Sequence, residues 1–89
     1  MTATPGGNSL DDRKKAFSSK DAQEGGMVLF SGGGYDKQYG HIAIVTGVND
    51  DGTINVKESN YNGDKKVTER FNVPTTYVSG YYNNTPLVS

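Results

Sequence analysis

Eighty-nine residues with 9 basic and 10 acidic side chains, a net charge of −1 and no cysteine limit the chain to one small domain with no disulfide, no thiolate metal site and no cysteine nucleophile of its own. The charges are spread along the chain and the isoelectric point is near 5.6, which leaves no basic footprint for nucleic acid or anionic lipid. No apolar run reaches the length of a membrane span, and the opening MTATPGGNSL lacks the charged-then-apolar layout of a signal peptide, so a soluble chain with no membrane partner is predicted.

Residues 1–8 read as a polar leader containing Gly and Pro, predicted to be mobile. Residues 9–85 read as one domain and residues 86–89 as a tail. Ser9 can cap a short helix, with Asp11 and Asp12 in the first turn and Arg13, Lys14 and Lys15 after them, an order that complements the helix dipole. Ala16 and Phe17 are its expected apolar anchors. From Met27 the pattern becomes β: MVLF (27–30), IAIVTGV (42–48), TINVKESN (53–60), KKVTERF (65–71) and YVSGYY (77–82) are candidate strands separated by turn-rich segments. The expected fold class is α+β, a five-stranded antiparallel meander with a short N-terminal helix. The loop SGGGYDKQYG (31–40) carries no following Gly-Lys-Ser/Thr, so it is read as a flexible loop beside His41 and not as a phosphate cradle.

The chain's single histidine starts the second candidate strand. If residues 49–52 form a four-residue loop on a type I turn, with Gly52 left-handed, then Val48 faces Thr53, Val45 faces Val56, Ala43 faces Glu58 and His41 faces Asn60. On that face the alternation Ile54, Val56 turns polar at Glu58 and Asn60, where His41 arrives. A break of this kind is expected where function chose the residue, although solvated residues running into a turn give the same letters. A one-residue change of register would send His41 to the opposite face. The spacing from Gly47 to Glu58 mimics part of an EF-hand, but the first position is Gly and the flanks are strands, so no metal site is expected. Of the 6 tyrosines, Tyr39 and Tyr61 adjoin the proposed site and are candidate substrate contacts, while cross-strand packing accounts for the others.

The ordered segments GGMVLF, GGYDKQYGHIAIVTGV, DGTINVKESNYNG, VTERF and YVSGYY resemble the C-terminal part of the CHAP family, the cysteine, histidine-dependent amidohydrolases/peptidases of phage lysins and bacterial wall hydrolases. The likeness spans about residues 24–83. It implies a papain-like fold related to the NlpC/P60 enzymes, in which a helix bearing the nucleophilic cysteine packs on an antiparallel half-barrel. It also implies that His41 matches the general base, Glu58 its orienting residue and Asn60 a further polar catalytic position. The implied substrate is peptidoglycan peptide, at the bacterial cell wall, with no cofactor.

The family's cysteine lies on a helix that would precede GGNSL, and this chain has none. Two accounts are favoured: the chain is one part of a divided enzyme whose second polypeptide supplies the cysteine, or it is a truncated piece. A non-catalytic wall-binding or phage structural module is the third. The isolated chain is expected to be inactive. A sheet lacking its companion helix would leave an apolar face bare, which predicts a partner chain or self-association.

Overall fold

The computed structural model describes residues 6–7, 9–59 and 67–83. Its elements in chain order are α1 (Leu10–Ala16), β1 (Met27–Phe30), β2 (His41–Val48), β3 (Ile54–Ser59), β4 (Val67–Val73) and β5 (Val78–Tyr82). The helix begins as its sequence dictates: the Ser9 hydroxyl accepts from the Asp12 N–H at 3.0 Å, satisfying one of the donors that a first turn leaves open. It stops at Phe17, which is only 1% exposed. Most of the expected leader (residues 1–5 and 8), the end of the third candidate strand at Asn60, the start of the fourth and the tail at 86–89 lie outside the described residues.

All strand pairs are antiparallel, in the order β4-β3-β2-β1-β5. This corrects the simple meander: β5 does not pair with β4 but returns to the far side of β1, placing Tyr81 opposite Val28. The return curls the sheet. A flat five-stranded sheet would hold its outer strands about 19 Å apart, whereas residues 74–77, which join β4 to β5, reach at most about 18 Å between the flanking strand ends. The five strands therefore form one curled sheet. Its concave side is filled by Val28, Phe30, Ala43, Val45, Ile54, Val56, Val73 and Tyr81, drawn from every strand. Burying each large member contributes roughly 1.5–3 kcal/mol.

The convex side is covered unevenly. Over β1 and β5, Leu29 and Phe17 are buried and the Phe17 ring lies 5.8 Å from that of Tyr82. Ser19 adds a two-way backbone bridge to Tyr81, donating at 3.1 Å and accepting at 2.9 Å. Over β2 and β4, Ile44, Val67 and Phe71 stay exposed. No described helix is long and apolar enough to cross a membrane.

Candidate active site

The hairpin of β2 and β3 positions the site, by a route the sequence pattern did not suggest. At the turn, Val48 pairs with Ile54, one residue out of the expected alignment with Thr53. Gly52 has φ 89° and the Asn49 N–H donates to the Thr53 carbonyl at 2.9 Å. Left uncorrected, this offset would turn His41 away from the core side. A β-bulge at Thr46 inserts one residue into β2, after which Val45 faces Val56 as expected. The offset cancels, and His41 and Glu58 share the concave face.

His41 starts β2 directly after Gly40. Gly40 has φ 70°, and a Cβ there would stand 2.8 Å from the Phe30 carbonyl oxygen, so only glycine lets the chain pass this close to β1. The loop leading in is tied by its own side chain: Asp36 Oδ1 accepts from the Gln38 and Tyr39 N–H groups at 2.7 and 2.9 Å. The Tyr39 and then the Gln38 backbone hydrogen bonds lower the Asp36 pKa from its ordinary value. Gly40 donates back to the Asp36 carbonyl.

His41 Nε2 lies 2.6 Å from Glu58 Oε1. The Glu58 side chain is 13% exposed and that of His41 28%, so the pair is screened but open on the imidazole side. A carboxylate can only accept, which places the hydrogen on Nε2 and leaves Nδ1 of the neutral ring with its lone pair. Among the described residues nothing hydrogen-bonds Nδ1. The imidazole is stacked, with ring centroids 5.7 Å from Tyr35 and 6.2 Å from Phe30. Tyr35 and Phe30 stack on each other at 5.0 Å.

A third side chain, the guanidinium of Arg70, completes the cluster. Arg70 of β4 pairs with Val56, so it points to the concave side, where an apolar residue would be the default. Its Nη2 donates to Glu58 Oε1 at 3.0 Å. Its Nε stands 2.7 Å from Oε2 without the alignment of a hydrogen bond, so the second contact is an ion pair. Both terminal nitrogens donate weakly to the Tyr35 hydroxyl at 3.4 Å. Burial works to lower the Arg70 pKa, and the hydrogen bonds to Tyr35 and Glu58, with the charge on Glu58, outweigh it and raise the pKa.

Of the five site residues expected from sequence, the structure brings His41 and Glu58 together. Tyr39 is 40% exposed and packs beneath the Arg13 guanidinium at 5.7 Å, its carbonyl accepting from Arg13 at 2.8 Å. Its ring contact is with Arg13, not with His41 or Glu58. Asn60 and Tyr61 lie outside the described residues. The sequence reading missed Arg70, Tyr35 and Phe30. The Arg70 signal was a charge in a strand whose neighbours alternate, but it could be assigned to a face only with the β3–β4 register in hand. Among the described residues no group of three or more His, Asp or Glu side chains could hold a metal.

The family model described as CHAP domain matches residues 3–60. No curated protein and no solved structure matches the chain.

Proposed function

The chain belongs to the CHAP domain family, and on that premise we propose that it supplies the base half of a cysteine-dependent peptidoglycan amidase or endopeptidase. Membership points to peptidoglycan-hydrolase-type function; the roles assigned here to single residues are our reading. The observation that carries it is the pair in which His41 Nε2 is held 2.6 Å from Glu58, with no hydrogen bond to Nδ1 from the described residues.

In this reading Nδ1 takes the proton of a thiol, and the thiolate attacks the carbonyl carbon of a wall-peptide amide. The imidazolium so formed is stabilised by Glu58 and hands its proton to the leaving nitrogen. Nδ1 then removes a proton from the water that hydrolyses the thioester, and the thiol is regenerated. The 89 residues contain no cysteine, so the thiol comes from residues outside them, on a second polypeptide or a covalently linked segment that docks in papain-like fashion. Ile44, Val67 and Phe71 are exposed on the convex face, away from His41, and support a separate contact there, with another chain or a second copy, and not the docking of the thiol. Asn60 is retained as the further polar position, and Tyr39 and Tyr61 as contacts to the peptide.

The test is to join a cysteine-bearing CHAP segment to this chain and follow release of amino groups from purified peptidoglycan. Hydrolysis that disappears in His41→Ala is expected. Wall binding that survives His41→Ala, with no hydrolysis from any folded assembly, would replace the proposal with a non-catalytic binding module.

A further inference from the structure

Glu58 is a long, flexible side chain, and a single contact to His41 would leave its carboxylate free to swing about its terminal torsion. Arg70 removes that freedom. It stands against both carboxylate oxygens, and one of them, Oε1, is the atom that faces His41 Nε2. The guanidinium is itself held in place. It lies 5.6 Å over the Phe30 ring and 6.0 Å over that of Tyr35, with the Tyr35 hydroxyl accepting from both Nη groups. The same two rings stack on the imidazole, so one aromatic pair braces both partners of Glu58.

We infer that Arg70, braced by Phe30 and Tyr35, is a positioning residue that locks the Glu58 carboxylate onto His41 and thereby fixes which imidazole nitrogen faces the reacting thiol. The inference rests on the proposed function for its catalytic meaning, but the geometry it asserts can be read in the chain alone. The task takes a hydrogen-bond donor on Oε1 and a second nitrogen close to Oε2, both held in one plane; lysine restores the charge with a single nitrogen that cannot stand against both oxygens in this way.

The deciding measurement is nitrogen-15 NMR of the His41 ring in the full 89-residue chain, with the backbone amide spectrum as the control for folding. A hydrogen-bonded Nε2–H exchanges slowly enough with water to be seen, and in the wild-type chain it is expected as a resolved resonance. Arg70→Gln should abolish or broaden it while the amide spectrum keeps its dispersion, and Arg70→Lys should recover it only in part. Glu69→Gln, a change on the opposite face of β4, should leave it untouched. An unshifted, sharp Nε2–H signal in Arg70→Gln would overturn the inference. Should that variant not fold, the same sharp signal in Arg70→Lys would do so. In the assembled hydrolase Arg70→Gln should lower kcat about 100-fold with KM little changed. Absence of hydrolysis by the wild-type assembly would remove the proposed function and leave the NMR result to judge Arg70 by itself.

Discussion

Gly80 of β5 lies so close to Phe17 that a methyl group on its α-carbon would overlap the Phe17 carbonyl oxygen. This contact is how the chain leaving α1 seats on the convex side of the sheet, opposite the site. Because the clash is with backbone, it cannot be relieved by turning a side chain. Gly80→Ala should therefore destabilise the fold by about 1–3 kcal/mol or more, read as a lowered midpoint in thermal unfolding.

The His41–Glu58 pair makes a separate prediction for activity. In an assembly that contains the cysteine segment, His41→Ala should reduce peptidoglycan hydrolysis by about 100- to 10,000-fold, the range for losing a general acid–base. Glu58→Gln should cost less, because an amide can still hold the ring through its oxygen. Rates of amino-group release from purified wall material would rank the variants; equal rates for wild type and His41→Ala would count against the site.

Ile54 is 1% exposed and belongs to the concave core. Truncation to alanine should cost about 2–5 kcal/mol and Ile54→Val only about 0.5–1.5 kcal/mol, since the second change removes one methylene and leaves a smaller void. Denaturant midpoints at constant slope would separate the two.

Asn72 is the extra residue of the bulge in β4 and has φ 56°. Its N–H donates to Asn55 Oδ1 at 3.0 Å and its own Oδ1 accepts from Asn49 at 3.2 Å. Asn72→Ala both strains the backbone and deletes the acceptor, and should be about 1–2 kcal/mol less stable than Asn72→Gly, which relieves the strain. Thermal unfolding of the two variants side by side is the check.

Two loop carboxyls set an acid-side dependence. Asp51 is held below its ordinary pKa of 3.8 by the Thr53 hydroxyl and then the Thr53 N–H, as Asp36 is by the Tyr39 and Gln38 N–H groups. Both bind protons less readily folded than unfolded, so each contributes stability above the ordinary carboxylate value and loses it as pH falls through the depressed one. Thermal midpoints should fall below about pH 4, and the fall should be shallower in the Asp36→Asn, Asp51→Asn double variant.

The expected register of the β2–β3 hairpin was right at Val45 and Val56 and wrong at Val48. Period-two alternation reports which residues share a face, and it found His41, Val45, Val56 and Glu58. It cannot report an extra residue in one strand, because a turn longer by one and a bulge at Thr46 cancel in the pattern. Arg70 was illegible for a related reason. Its face depends on where β4 starts against β3 and on a second bulge at Asn72, neither of which leaves a mark in local composition.

By itself the amino-acid sequence determined the local elements: the Ser9-capped helix, the cores of the five strands, the turn glycine at 52 and the polar end of an apolar ribbon. These follow from backbone propensity and side-chain alternation, which act over a few residues. Only the tertiary structure decided that β5 closes on β1, that the sheet curls around its core, and that Arg70 and Tyr35 gather about the His41–Glu58 pair. Those outcomes rest on contacts between segments far apart in the chain, where packing and charge pairing choose among registers that the local signals leave equal.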